Sequence, residues 1–147
     1  MSQHIIILCT GNSCRSQMAQ VIWQHMVGDL ATVISAGSEP AGYVHPLAIQ
    51  ALQEIDLPTS GLKSKSVSQF LDQRIDLVVT VCDHAQQSCP TLPYAQTTLH
   101  WPFDDPAEAT GTDEEKMVFF RRVRDEIKSR ITSHIASQLE NPASGNV

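Results

Sequence analysis

Two apolar runs of strand length, Ile5–Cys9 and Ile75–Val81, constrain the fold more than any other feature of the chain. Ile5, Ile6, Ile7 and Leu8 show no polar alternation, and Ile75, Leu77, Val78, Val79 and Val81 show almost none. A strand with apolar side chains pointing both ways suits a parallel sheet covered by helices on both faces. Each run delivers a cysteine at its end, Cys9 and Cys82. Between them, Met18, Val21, Ile22 and Met26 recur at helical intervals with Gly28 as a stop, and Thr32–Ser35 forms a second strand closed by Gly37. The stretch Ser38–His45 is rich in turn residues. Pro46 opens a helix carrying Leu47, Ala48, Ala51, Leu52 and Ile55, which Leu57 and Pro58 end. Ser66–Leu71 is a short helix and Thr97–His100 a fourth, weaker strand.

Thr112 with Glu115 three residues on is a capping box, and Met117, Phe120, Val123, Ile127, Ile131 and Ile135 then repeat at helical spacing. On that helix Arg122, Glu126 and Arg130 are spaced for ion pairs along the exposed side. The expectation is an α/β fold: one domain over residues 1–139, a four-stranded parallel sheet flanked by helices, and a frayed tail over residues 140–147. In such sheets ligands gather at the carboxyl ends of the strands, where Cys9 and Cys82 stand.

The net charge of −6, from 10 Lys and Arg against 16 Asp and Glu, argues against nucleic acid or anionic membranes as partners. Ile5–Cys9 is shorter than the roughly 7–15 residues of a signal-peptide core and far short of a membrane span. A cytoplasmic protein is expected, and nothing in the sequence demands more than a monomer. Four cysteines in that compartment would be reduced, so a disulfide between any two is more readily redox-active than structural.

After Cys9 come Thr10, Gly11, Asn12, Ser13, Cys14, Arg15 and Ser16. A strand ending in a short polar loop, with a helix starting straight after, aims backbone N–H groups and a positive helix end at one point. Arg15 adds a planar fork of donors suited to a tetrahedral oxyanion. Gly11 and Asn12 tolerate the left-handed backbone such a nest requires, and Ser16 can donate to the Cys9 sulfur. The same field favours thiolate, so Cys9 is expected to ionise well below its free value near pH ~8.5 and to act as a nucleophile. Cys14 reads better as a small packing residue.

Cys82 and Cys89 are too far apart for a typical Cys-x2–4-Cys zinc pair, and no second pair matches them. As a helix their seven-residue separation would span about 10.5 Å, beyond the ~7 Å limit between disulfide-linked Cα atoms, so a bond between them requires a looped segment. If the first and third strands are neighbours at about 4.8 Å, the Cys9 and Cys82 thiols can meet with modest loop movement. Asp104 and Asp105 precede Pro106; they form either an Asp-Pro turn or, functionally, a turn that carries a general acid. The six histidines show no motif, and His84 and His100 read as surface or packing residues.

The loop Cys9-Thr-Gly-Asn-Ser-Cys-Arg-Ser-Gln-Met-Ala, the pair Cys82 and Cys89 with Pro90 following, and the run His100-Trp-Pro-Phe-Asp-Asp-Pro106 together resemble the thioredoxin-coupled arsenate reductases. These share the fold of the low-molecular-weight protein tyrosine phosphatases. Phe120-Arg-Arg-Val-Arg-Asp-Glu-Ile127 extends the resemblance into the last helix. The resemblance implies that arsenate binds in the loop Thr10–Ser16 with Arg15, that Cys9 attacks arsenic, and that Asp105 protonates the departing oxygen. It further implies a Cys9–Cys82 disulfide as arsenite leaves, its transfer to Cys82–Cys89, and reduction by thioredoxin; for this chain no cofactor and no metal are expected. Some members bind potassium beside the loop through an Asn, a Glu, a Ser and an Asp. Here Asn12 and Ser35 remain, while Gln20 and Lys65 replace the acids, so the Lys65 ammonium is expected to fill the cation's place. The rival enzyme, a tyrosine phosphatase, uses the same loop and acid but needs neither Cys82 nor Cys89, and usually has an aromatic residue where Ala107 follows Pro106. A non-catalytic anion-binding or redox-sensing protein would leave nucleophile, acid and thiol pair without use.

Overall fold

The computed structural model describes residues 3–81, 92 and 94–140. Four strands, β1 (Gln3–Cys9), β2 (Ala31–Gly37), β3 (Ile75–Thr80) and β4 (Ala95–His100), form one sheet in the order β2-β1-β3-β4, with every neighbouring pair parallel. The α-helices are α1 (Arg15–Val27), α2 (Pro46–Gln53) and α3 (Asp113–Glu140). The register aligns Cys9 with Gly37, Leu8 with Thr80, and Thr80 with His100, so all four strands end at one edge.

The two apolar directions of β1 are both used. Ile5, Ile7 and Cys9 pack in one cluster with Met18, Ile22 and Trp23 of α1, Ala48 and Leu52 of α2, and Met117, Phe120, Val123, Ile127 and Ile131 of α3. Ile6 and Leu8 face the opposite side, where Val67, Phe70, Leu71 and Leu92 cover them. Among the described residues, all three α-helices thus pack on one face of the sheet, and a 3-10 turn, Val67–Phe70, contributes to the other. That turn is the expected short helix at 66–71, with the Ser66 hydroxyl accepting from the Ser68 N–H at 3.2 Å.

Local signals act where they stand. Gly28 stops α1 with φ 56, and Pro46 starts α2. The capping box forms in both directions, Thr112 N–H to Glu115 Oε1 at 3.1 Å and Glu115 N–H to Thr112 Oγ1 at 3.2 Å. The ion pairs expected within α3 give way to tertiary partners. Arg122 reaches Asp104 at 3.0 Å, and the Arg130 guanidinium lies 5.3 Å above the Trp101 ring. Arg124, nearly buried, joins α3 to α2 by donating to the Ala51 carbonyl at 2.9 Å and to Glu54 at 3.0 Å. The last helix runs to Glu140, and the rest of the expected tail lies outside the described residues.

Candidate active site

Each carbonyl of the loop that links β1 to α1 is engaged from outside. Thr10 O accepts from Glu39 N–H at 2.9 Å, Gly11 O from Ala41 N–H at 2.8 Å and Ser64 Oγ at 3.1 Å, Asn12 O from Gln17 Nε2 at 2.9 Å, Ser13 O from His45 N–H at 2.9 Å, and Cys14 O from Met18 N–H at 3.0 Å. Partners on the carbonyls fix the loop backbone, and its amide N–H groups are what an anion nest would use. Asn12 N–H donates to Cys9 Sγ at 3.1 Å. The left-handed backbone falls on Asn12 alone, at φ 49; Gly11 does not use it, which corrects the expectation for that residue. The glycine the loop depends on is Gly37 at the end of β2, where a Cβ would lie 2.4 Å from Thr10 O and 3.1 Å from Asn12 N. A Cβ at Gly11 would meet only ordinary contacts, 3.6 Å to Ser13 Oγ and 3.8 Å to Ala41 Cβ. Gly37→Ala is therefore expected to destabilise the fold by about 2 kcal/mol, while Gly11→Ala costs far less; urea unfolding of the two variants checks the contrast.

Cys9 is 2% exposed. Its sulfur lies 2.9 Å from Ser16 Oγ. Asn12 Nδ2 donates to Ser16 Oγ at 2.7 Å, which leaves the serine's own hydrogen for the sulfur. The same amide donates to Ser35 Oγ at 3.0 Å, and Ser35 donates onward to Gln20 Oε1 at 2.5 Å. Burial pushes the Cys9 thiol up; the Ser16 hydroxyl and N–H, the Arg15 charge and the Asn12 N–H pull it down without overcoming that cost. The expected low-pH thiolate is thus reversed: the donors are in place, but desolvation wins. Cys14 is 3% exposed, its sulfur 3.7 Å from Ser13 Oγ, and burial pushes its thiol up to about 12, in keeping with a packing role.

Beyond the strand ends, Trp101 N–H donates to Thr80 O at 2.7 Å and Phe103 N–H to Val81 O at 3.1 Å, which carries the β3–β4 ladder into the segment holding both aspartates. Trp101 stacks on Trp23 of α1 at 5.4 Å with the rings 6° from parallel. Arg15 at the start of α1 donates to Phe103 O at 3.0 Å and stands 3.4 Å from Asp105 Oδ2. Asp105 Oδ1 also accepts from Ala107 N–H at 3.0 Å. Asp104 points away, 75% exposed, to Arg122. Of the two aspartates, only Asp105 thus meets the arginine of the loop. Cys9, Asn12, Arg15, Ser16 and Asp105 converge at one edge of the sheet.

Cys82, His84 and Cys89 lie outside the described residues. The step that their use requires is present: β3 is the direct neighbour of β1, and Val81 N–H, just before Cys82, donates to Leu8 O at 2.9 Å. His100 is held by Thr80, with Nδ1 2.6 Å from Oγ1.

Residues 4–143 match the family described as low molecular weight phosphotyrosine protein phosphatase. An arsenate reductase of Halalkalibacterium halodurans is 53% identical over 127 residues, covering 86% of this chain and 91% of that protein. The chain belongs to this family, in its arsenate reductase branch. Among solved structures, an arsenate reductase in an oxidised state superposes with a TM-score of 0.77 at 27% identity, over 92% of this chain and 98% of that one. A thioredoxin-dependent arsenate reductase of Corynebacterium glutamicum gives a TM-score of 0.72 at 28% identity over 95% of this chain, which spans 63% of that longer chain.

The arsenate reductase fold fixes the loop here by means the sequence did not announce. Lys65 N–H donates to Asn12 Oδ1 at 2.8 Å, and its ammonium bonds Lys63 O at 3.0 Å while burial pulls its pKa down. Gln17 Nε2 takes Asn12 Oδ1 at 3.0 Å and Lys63 O at 2.8 Å. The oxygens of Asn12, Ser35, Gln20 and Lys63 are therefore already engaged by protein donors, and the set does not fit a resident alkali cation. His45 also acts on the loop without a sequence motif: its backbone holds Ser13, and its ring caps α2. The readable signal was its place directly before Pro46, the N-cap position of a helix that starts with proline.

Proposed function

We propose that the protein reduces arsenate to arsenite through Cys9, Cys82 and Cys89, with thioredoxin restoring the dithiol, and that it serves arsenic detoxification as a cytoplasmic monomer. The observation that carries this reading is the pairing of β1 with β3, because it brings the peptide leading into Cys82 to the edge where Cys9 lies in its donor loop. The identity with arsenate reductases supports it. Among the described residues no helix is long and apolar enough to cross a membrane.

Monohydrogen arsenate settles among the N–H groups of Thr10–Ser16, and Arg15 turns part of its fork from Asp105 to the anion. Cys9 gives up its thiol proton as its sulfur bonds arsenic, with the Ser16 hydroxyl and the Asn12 N–H supporting the negative sulfur. The sulfur forms a bond to arsenic and one arsenate oxygen leaves as water, protonated by Asp105, which recovers the proton released by the thiol. The Cys82 sulfur then attacks the Cys9 sulfur. The S–As bond breaks with its electron pair going to arsenic, so As(V) leaves as As(III) and a Cys9–Cys82 disulfide remains. Cys89 displaces Cys9 from Cys82, and the dithiol of thioredoxin reduces the resulting Cys82–Cys89 disulfide.

Arsenate-dependent oxidation of NADPH in the presence of thioredoxin and thioredoxin reductase, with arsenite formed in equal amount, tests the reading. Aryl-phosphate hydrolysis without such turnover would establish the phosphatase alternative, which the family match alone favours. A weak aryl-phosphatase activity is expected in either case, since phosphate and arsenate share shape and charge. We further propose that the engaged oxygens around Asn12 and the Lys65 ammonium make a potassium ion unnecessary. Exchange of sodium for potassium is expected to leave both turnover and Tm unchanged, whereas a bound cation would raise Tm with its concentration.

A further inference from the structure

His45 joins the oxyanion loop to the start of α2. Its backbone N–H donates to Ser13 O at 2.9 Å, and its Nδ1 accepts from Leu47 N–H at 3.1 Å. Pro46 has no N–H, so the Leu47 amide is the first donor that α2 must satisfy, and His45 is its acceptor. The carbonyl of the same residue accepts from Ala48 and Ile49 at 3.0 and 3.1 Å. The ring packs on Phe120 of α3 at 4.8 Å and near Tyr43 at 6.5 Å.

Accepting at Nδ1 requires a neutral ring with its hydrogen on Nε2, because an imidazolium donates from both nitrogens and would oppose the Leu47 N–H. We propose that His45 is a positioning residue for the oxyanion loop: the neutral Nε2–H imidazole caps α2, holds residue 45 in place, and so fixes the amide that pins Ser13. The proposal rests on the loop being the oxyanion site.

The charged groups around the ring are Lys116 and Asp113 of α3 and Asp105 of the segment after β4. Burial first and then Lys116 lower the imidazole pKa below 6.5, against the pull of Asp105 and Asp113, which keeps the cap intact at neutral pH. Since the folded pKa is the lower one, the unfolded chain binds the proton more readily, and the cap's stabilisation is lost as pH falls below 6.5 through the folded value. Oxyanion affinity should fall with it.

The test uses Asn, whose Oδ1 sits the same number of bonds from the backbone as the imidazole Nδ1 and can cap without titrating. Titration of the full chain with inorganic phosphate is expected to give His45→Ala a Kd about fivefold above wild type, the equivalent of a lost helix cap worth about 1 kcal/mol. The kcat for an aryl phosphate should change less than the affinity. His45→Asn should match wild type at neutral pH and lose the additional weakening that wild type shows below pH 6.5; taking the ratio of the two removes the ionisation of phosphate itself. Nitrogen-15 NMR should show the His45 ring as the Nε2–H tautomer, with a pKa below 6.5. Equal phosphate affinity of His45→Ala and wild type, failure of Asn to rescue, or an Nδ1–H tautomer would each overturn the role of His45. Absence of phosphate binding by the wild type would instead overturn the oxyanion site and this proposal with it. If His45→Ala does not fold, the Asn variant and the tautomer decide.

Discussion

Cys82→Ser is expected to abolish thioredoxin-coupled arsenate turnover and to leave aryl-phosphate hydrolysis within about twofold of wild type, the separation that a sulfur relay demands and a phosphatase cannot produce. Phosphoryl transfer to Cys9 needs the donor loop, Arg15 and an acid, and water completes the cycle. Arsenate reduction needs in addition a thiol that attacks Cys9 and takes up the bond. Without it the Cys9–arsenate adduct only hydrolyses back to arsenate, so loss should reach the detection limit. Cys89→Ser differs in kind: the first turnover still releases arsenite, and the enzyme then stops as the Cys9–Cys82 disulfide. A burst of one arsenite per protein chain, followed by arrest, distinguishes the second thiol from the third. Multiple turnovers by either variant would remove that cysteine from the relay. The geometry behind the expectation is the neighbouring of β1 and β3, since a strand inserted between them would put Cys9 and the chain after Val81 about 10 Å apart.

That neighbouring was only conditional in the sequence, whereas the strands themselves were plain. Burial on both faces erases polar alternation, so Ile5–Leu8 and Ile75–Val81 could be read directly, as could Pro46, Gly28 and the Thr112–Glu115 box, whose partners lie within one turn. What depended on distant residues was not legible. Arg122 finds Asp104 and Arg130 finds Trp101, although Glu126 has the better spacing for both. Ser16 was legible as a donor to the Cys9 sulfur, while the Asn12 N–H and the direction of the thiol's pKa were not. Donors stand beside the sulfur in sequence; the packing that desolvates it comes from elsewhere in the fold. For the same reason Gly11, being in the motif, was expected to serve the left-handed backbone, while the glycine that the loop cannot replace is Gly37, brought by β2 against Thr10 and Asn12.

Asp105→Asn is expected to lower kcat for phenyl phosphate about 10²-fold without raising KM, whereas Asp104→Asn leaves both near wild type. The two carboxylates are adjacent in sequence and differ in what they face. Asp104 is 75% exposed and pairs with Arg122 on the surface, an interaction worth little. Asp105 stands 3.4 Å from Arg15, in a segment fixed by Trp101 and Phe103 to the end of β3. An asparagine there still accepts from Ala107 N–H, so the turn is kept while the proton is lost. It also weakens the hold on Arg15, whose guanidinium becomes freer to meet the oxyanion; that is why KM should stay level or fall. The leaving group provides an internal check. Phenol, with a pKa near ~10 like tyrosine, departs poorly unless protonated, while a more acidic nitrophenol departs unaided. The ratio of wild type to Asp105→Asn should therefore be larger for phenyl than for nitrophenyl phosphate. An equal loss on both substrates would mean that the carboxylate only positions Arg15, and a loss confined to Asp104→Asn would move the acid to the other residue.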